Sequence, residues 1–180
     1  KELGSKSSSV LVAMPILVGS LGRIVVGALT DRYGDQVMFT SVLVLSVIPV
    51  LVVAWAGGIS SYWLLLTAAL FLGIAGTVFA IGIPFVSAWY KASRRGFATG
   101  VFGMGMGGTA IAAFLTPRLT ASIGYLQSHL LVAGLMVLMA ALVWFTMSES
   151  PARTAVVEPF VPKMMGAIRL PVTWQLTFLY

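Results

Sequence analysis

The sequence predicts an all-α membrane protein, a bundle of apolar helices that crosses the bilayer several times. Hydrophobic residues make up 59% of the 180 positions and charged residues only 9%, and the mean hydropathy is +1.01. Soluble domains carry about 25% charged residues, so this composition excludes a soluble globular domain. Several segments also reach the roughly 20 apolar residues that a helix needs to span the hydrocarbon layer.

Residues 1–147 contain five apolar segments that we expect to span the membrane, after a polar stretch at residues 1–9. The predicted spans cover residues 10–29, 37–56, 62–88, 96–116 and 130–147. A polar linker rich in proline follows at residues 148–173, and residues 174–180 open another apolar segment. The chain begins with Lys1 rather than Met and stops inside this segment, so we expect it to be part of a longer protein.

Each span is bounded by residues that end or orient a membrane helix. The first two spans meet at the sequence TDRYGDQ, and GGISS separates the second from the third. The third ends at Trp89 and Tyr90, aromatic residues that favour the membrane interface. The glycine-rich fourth span ends at Pro117 and Arg118, and a polar outer loop with the single histidine, His129, precedes the fifth. A lone histidine in a loop is poor support for a metal site or a proton relay.

The distribution of basic residues predicts which ends of the spans face the cytoplasm. Seven lysines and arginines lie on one side of the predicted bundle and three on the other. The richer side holds the turns at residues 31–36 and 90–95 and the linker at 148–173, and basic loops favour the cytoplasmic side. The net charge of +6 therefore indicates orientation in a membrane rather than nucleic-acid binding.

Arg23 is the most informative residue, because it lies near the centre of the first span. Arginine keeps its charge at any usable pH, and placing it at this depth costs at least about 2.5–3.5 kcal/mol. All five acidic residues fall in loops or at helix ends. Arg23 then either pairs with an acid elsewhere in a longer protein, extends to the membrane surface, or binds an anion through its planar fork of N–H donors. We favour the anion.

Rows of small residues mark helix faces that could approach a neighbour closely. The rows are Gly73, Gly76, Ala80 and Ser87 in the third span, and Gly96, Gly100, Gly103 and Gly107 in the fourth. Gly19 and Gly27 lie one turn on either side of Arg23 and leave room for a ligand or another helix. Small residues let membrane helices pack backbone to backbone, but glycines alone do not separate static packing from a moving or substrate-contacting face.

The first span ends in the pattern Gly27-x-x-x-Asp31-Arg32-x-Gly34. Gly34 suits the left-handed turn that ends a helix. Asp31 and Arg32 lie between two spans on the basic side. This position fits either a solvated loop or a latch between helices.

Three stretches together resemble the nitrate/nitrite porter family of the major facilitator superfamily. They are PILVGSLGRIVVGALTDRYG at 15–34, FLGIAGTVFAIGIPFVSAWY at 71–90 and RRGFATGVFGMGMGGTAIAAFLTPRL at 94–119. The final RLPVTWQLTFLY is similar to that family's entry into its seventh helix. The resemblance implies a partial major-facilitator fold, with helices two to six and the start of helix seven. The C-terminal half of the same protein would be its partner.

The resemblance also implies roles for individual residues. Arg23 would be the family's substrate-binding arginine, Phe79 the aromatic that stacks on the planar anion, and Tyr180 a tyrosine that donates to it. The glycine run from Gly100 to Thr109 would be the nitrate signature. Its implied substrate contacts are Gly103, Gly105 and Met106, and the implied gating residues are Gly27, Asp31, Arg32, Gly34, Gly100, Gly107 and Gly108.

The chain departs from the family pattern at two places. Met106 stands where the signature commonly has asparagine, so we expect one substrate hydrogen bond to be absent. Asp35 and Gln36 stand where the loop motif normally closes with basic residues. We therefore expect a weaker cytoplasmic latch.

Together these features predict a secondary transporter for nitrate or nitrite that works by alternating access in a bacterial inner membrane. No acid or histidine lies within a predicted span, so anion exchange fits more simply than proton-coupled uptake, which stays open through a second half. The alternative is a facilitator or channel for another small anionic solute. We expect neither cofactor nor metal, and no enzyme, because no nucleophile with a base lies at membrane depth.

Overall fold

The computed structural model describes residues 5–59, 61–149, 165–166 and 169–179, and these residues form α-helices joined by short turns. The helices are α1 (Ser5–Tyr33), α2 (Asp35–Ile59), α3 (Tyr62–Leu72), α4 (Val78–Trp89), α5 (Arg95–Gly103), α6 (Gly107–Ile123), α7 (Tyr125–Thr146) and α8 (Pro171–Leu179). Short 3-10 helices cover Gly73–Thr77, Ala92–Arg94 and Met104–Met106. Tyr180 and most of the predicted linker lie outside the described residues.

Five helical stretches are long and apolar enough to cross a membrane, which confirms the predicted helix bundle. They are Ser9–Tyr33, Asp35–Gly58, Tyr62–Trp89, Ala92–Ile123 and Tyr125–Thr146. The third and fourth stretches are not continuous α-helices, because a 3-10 segment joins α3 to α4 and another joins α5 to α6. A 3-10 segment inside a helix often marks a functional or strained position.

The outer end of the fourth span differs from the prediction. The helix does not end at Pro117, because α6 continues to Ile123, and His129 lies in the helix α7 rather than in a loop. A single residue makes the turn: Gly124 has a φ of 91°, a conformation that glycine adopts at little cost. Arg118 is accommodated within α6, where Nη1 donates to the carbonyl of Phe114 at 2.8 Å and the guanidinium covers the Phe114 ring.

The helices bury small residues against one another and leave large apolar side chains outside. Ala54, Ala56 and Ala68 are almost fully buried, whereas Phe97 is 76% exposed and Phe145 83% exposed. In water this distribution would be costly, but lipid chains solvate such side chains as well as a protein core does. The bundle is therefore built for hydrocarbon surroundings.

The helix α2 joins the two sides of the bundle, because it packs against both α3 and α7. At its outer end the ring of Tyr125 lies directly on Gly57, where a Cβ would overlap the ring. The Tyr125 hydroxyl donates to the carbonyl of Val53 at 3.2 Å. The helix α1 packs against α3 and against the 3-10 segment Gly73–Thr77, and the contact with the 3-10 segment places Arg23.

Candidate functional site

The helix α1 packs against the 3-10 segment Gly73–Thr77 at a distance that only glycine permits. A Cβ at Gly19 would lie 2.9 Å from the carbonyl oxygen of Gly73, and one at Gly73 would lie 2.5 Å from the carbonyl oxygen of Pro15. Real Cβ atoms do not approach backbone atoms so closely. We call this contact the glycine seam; its members are Pro15, Val18, Gly19 and Gly22 on α1 and Gly73, Gly76 and Thr77 opposite.

The glycine seam brings Arg23 to the backbone of the 3-10 segment. Nε of Arg23 donates a hydrogen bond to the carbonyl oxygen of Gly76 at 3.4 Å. Within the described part of the chain the guanidinium forms no ion pair and no other hydrogen bond, and the residue is exposed. A permanent cation in an apolar helix therefore has one neutral hydrogen-bond acceptor. Its two terminal nitrogens have no acceptor in the described part of the chain.

The predicted stacking residue Phe79 follows the 3-10 segment on α4. It is half-buried and packs edge-to-face against Phe102 of α5, with 5.4 Å between ring centroids and 69° between ring planes. The Phe102 ring lies on Gly82, where a Cβ would overlap it. Sequence reasoning missed Phe102 and Gly82. Since both occur inside apolar stretches, no local pattern marks them, and only the packing of α4 on α5 brings them together.

The predicted nitrate signature, Gly100 to Thr109, lies on α5, the 3-10 segment Met104–Met106 and α6. Its glycines have no neighbour within 4 Å of an added Cβ in the part of the chain that the structure describes. Met104 and Met106 are 76% and 62% exposed. We call this surface the open glycine row; its members are Gly96, Gly100, Gly103, Gly105, Gly107 and Gly108.

Contacts connect the three stretches that carry the predicted anion site. Arg23 reaches Gly76 on the 3-10 segment, Phe79 follows in α4, and Phe79 contacts Phe102, the residue that precedes Gly103 in the signature. The predicted substrate residues of α1, α4 and α5 thus belong to one connected part of the bundle. Tyr180 lies outside the described residues. Gly27, one turn beyond Arg23, has no described neighbour within 4 Å of an added Cβ.

The predicted gating residues Asp31 and Arg32 lie in the last turn of α1, and Gly34 alone joins α1 to α2, so the predicted turn at residues 31–36 is a single residue in the structure. Gly34 has a φ of 103°, and its N–H donates to the carbonyl of Thr30 at 2.9 Å, which closes α1 as the glycine pattern predicted. The guanidinium of Arg32 lies 5.5 Å from the centre of the Tyr33 ring.

The residues after this turn bind the end of α7. The N–H of Asp35 donates to Oε2 of Glu149 at 3.3 Å, and Nε2 of Gln36 donates to the carbonyl of Trp144 at 2.6 Å. Glu149 places a carboxylate at the N-terminus of α2, where the helix dipole favours negative charge. The family's basic residues are absent here, but the α1–α2 turn still has a partner. Sequence reasoning missed this contact because residues so far apart in the chain share no local signal.

The described cavities do not include Arg23 in their walls. One of about 200 Å³ lies between α2, α3, α6 and α7, with Thr116, Ser128 and His129 as its polar walls. Another of about 420 Å³ lies between α2 and α3 and is almost wholly apolar. Among the described residues no group of three His, Cys, Asp or Glu side chains could hold a metal ion.

Comparison with known proteins shows what the chain is similar to. The sequence pattern of the Major Facilitator Superfamily matches residues 1–180. The "Probable nitrate/nitrite transporter NarK2" of Mycobacterium tuberculosis is 49% identical over 179 residues, which cover 99% of this chain and 45% of that protein. The "Probable nitrate/nitrite antiporter NarK1" of Thermus thermophilus is 37% identical over 180 residues, 93% of this chain and 40% of that protein.

A third relative, the "Nitrite extrusion protein" of Bacillus subtilis, is 33% identical over 144 residues, 78% of this chain and 36% of that protein. The chain spans less than half of the length of each of these relatives. No solved structure matches it. The resemblance predicted from the three motifs is confirmed, and the chain belongs to the major facilitator superfamily, with nitrate/nitrite transporters as its relatives.

Proposed function

We propose that the protein containing this chain moves nitrate or nitrite across a membrane by alternating access, and that Arg23 binds the anion. The environment of Arg23 carries the proposal. Its Nε has a neutral partner in the carbonyl of Gly76, while the terminal nitrogens have no acceptor in the described part of the chain. A nitrate or nitrite ion supplies both the charge and the acceptor atoms that this guanidinium lacks.

The energetic cost of an arginine at membrane depth supports an exchange mechanism for this site. An uncompensated guanidinium at membrane depth costs at least about 2.5–3.5 kcal/mol, and an anion that neutralises it lowers the cost of closing the site. The loaded site then changes its exposure from one side of the membrane to the other more readily than the empty one does. Such a cycle exchanges one anion for another. Proton coupling would instead need a titratable group, either His129 of α7 or one in the rest of the protein.

The surrounding residues have supporting roles in this proposal. Phe79, held by Phe102, would stack on the flat anion. The open glycine row would face the C-terminal half of the complete transporter, which would complete the site and close over it. The names of relatives, which include a transporter, an antiporter and an extrusion protein for these anions, agree with the substrate class. Since those relatives come from bacteria, we propose the bacterial inner membrane as the location.

Exchange in proteoliposomes tests the proposal. The complete protein is reconstituted, the vesicles are loaded with nitrite or nitrate, and the uptake of labelled nitrate is followed. We expect internal anion to accelerate nitrate uptake by the native protein. We expect Arg23→Lys to lower the uptake rate at least about tenfold, because an ammonium group cannot replace the two parallel N–H donors of a guanidinium. Arg118→Lys is the matched control, since Arg118 is already held by Phe114.

Two outcomes would contradict the proposal. Uptake that does not respond to internal anion and rises without saturation would indicate a channel. Normal nitrate exchange by Arg23→Lys would remove Arg23 from the mechanism.

A further inference from the structure

The glycine seam controls where Arg23 meets its carbonyl partner. Gly22 precedes Arg23, and a Cβ at Gly22 would lie 2.9 Å from Cγ2 of Thr77. Thr77 is only 1% exposed, and its Oγ1 donates to the carbonyl of Ile74 at 2.6 Å, so its side chain has no free space to turn into. The contact between Gly22 and Thr77 therefore fixes the separation of α1 from the 3-10 segment at the level of Arg23.

The hydrogen bond from Arg23 to Gly76 uses one particular edge of the guanidinium. A guanidinium can offer an oxyanion two kinds of paired donor: the edge that includes Nε, or the end formed by its two terminal nitrogens. In this structure Nε–H is directed to the carbonyl of Gly76. The end with the two terminal nitrogens is the pair that stays available, and the bond at Nε restricts rotation of the guanidinium plane.

We infer that the Gly76 carbonyl is a positioning group for anion recognition, and that it presents the two terminal nitrogens of Arg23, not the Nε edge, to a planar oxyanion. The inference rests on the proposed function and deepens it. Two oxygen atoms of nitrate or nitrite accept from the two terminal nitrogens, with anion and guanidinium in one plane. The positioning depends on the glycine seam, because the seam sets the distance between Arg23 and Gly76.

This arrangement has a consequence for selectivity. A flat oxyanion with two oxygen atoms matches both terminal nitrogens at once, whereas a spherical anion such as chloride gains little from the orientation of the plane. Disturbing the seam should thus weaken nitrate binding more than chloride binding. A loss of folding or of general helix packing would not change the ratio of the two affinities.

A double-mutant experiment at Gly22 and Thr77 tests the inference. Nitrate and chloride affinities are measured by calorimetry on the purified complete protein. We expect Gly22→Ala to weaken nitrate binding about tenfold and to lower the ratio of nitrate affinity to chloride affinity. The reason is that the added Cβ strains the hydrogen bond between the charged Arg23 and the carbonyl of Gly76. Adding Thr77→Ser removes Cγ2 and keeps the hydroxyl, so the double variant should recover both values. Thr77→Ser alone completes the cycle.

The control is Gly134→Ala, the same substitution in the interior of α7, where no described atom lies within 4 Å of the added Cβ. It should keep both affinities. If Gly22→Ala does not yield folded protein, Gly19→Ala takes its place, since its Cβ would meet the Gly73 carbonyl oxygen at 2.9 Å. The same fall in the affinity ratio is then expected.

The outcomes separate this inference from the proposed function. A native protein that binds no nitrate would overturn the proposed function itself. Nitrate binding by the native protein together with an unchanged ratio in folded Gly22→Ala would overturn only the positioning role. The positioning role would also be overturned if Gly22→Ala lowers nitrate affinity and the added Thr77→Ser does not restore that affinity. The contact with Cγ2 of Thr77 would then not be the cause of the loss.

Discussion

The glycine seam and the open glycine row have similar sequences and opposite surroundings. In the seam, Gly19 and Gly73 approach so closely that neither position has space for a Cβ. In the open row, no described atom lies within 4 Å of an added Cβ at Gly100 or Gly105. The seam holds Arg23 against a fixed backbone, whereas the row leaves a smooth surface uncovered by the described residues. Similar small-residue patterns thus serve a fixed contact in one place and an open face in the other.

The difference indicates how a transporter half can be rigid and movable at once. The residues that orient Arg23 are packed within one group of helices, so they keep their arrangement while that group moves. The glycines of the open row let a partner helix approach the backbone closely in one state and separate in another, although Met104 and Met106 between them are exposed. We expect substitutions in the seam to reduce stability and substitutions in the row to reduce transport.

Leucine substitutions at Gly73 and Gly100 should give the largest contrast. Gly73→Leu has to separate α1 from the 3-10 segment, and we expect a loss of at least about 1–3 kcal/mol of stability. Gly100→Leu enters open space in the described bundle and improves helix propensity, so we expect it to lower stability less than Gly73→Leu does, even where the C-terminal half faces it. Thermal unfolding of the purified complete protein measures both. Equal unfolding temperatures for the two variants would remove the distinction between seam and row.

Gly82→Ala tests a contact between side chain and backbone, because the added Cβ would overlap the ring of Phe102. Moving this ring breaks its edge-to-face contact with Phe79, worth about 0.5–1.5 kcal/mol beyond burial. We expect a lower unfolding temperature and weaker nitrate binding, with Gly134→Ala as the control. A native unfolding temperature in Gly82→Ala would show that the Phe102 ring does not rest on Gly82.

Gly34 sharpens the comparison, since it is required by backbone conformation rather than by packing. Its φ of 103° lies in the region that L-residues with a Cβ rarely adopt. We expect Gly34→Ala to cost roughly 1–2 kcal/mol, and Gly34→Asn to cost less because asparagine tolerates left-handed conformations. Thermal unfolding of both variants tests this order. An alanine variant as stable as the asparagine variant would contradict it.

The sequence was sufficient for the helix bundle because the bilayer restricts the possible structures. Apolar length determines the spans, and the five membrane-length stretches were predictable to within several residues. The predicted end of the fourth span at Pro117 was wrong, because α6 continues through Pro117 and Arg118 to Ile123. The Arg118 guanidinium fits within this helix because it donates a hydrogen bond to the carbonyl of Phe114. The 3-10 segment Gly73–Thr77 was also not predictable, because it depends on how closely α1 packs against its glycines.

The site was only partly predictable. The position of Arg23 in an apolar span marked it as a candidate site residue without any structure, since charge at that depth needs compensation. Its neutral partner could not be predicted, because every residue has a backbone carbonyl and only the fold selects Gly76. Phe102 was missed for a similar reason. Apolar residues within a span look alike in sequence, and their contacts decide which of them support a site.

The central claim is that a small oxyanion, and not a carboxylate of the protein, compensates the charge of Arg23. Calorimetric titration of nitrate into the purified complete protein tests it most directly. We predict saturable binding by the native protein and by Arg118→Lys, and a loss of at least about tenfold in affinity for Arg23→Lys, the amount expected for hydrogen bonds to a charged group. Equal nitrate affinity in the native protein and Arg23→Lys would contradict the account.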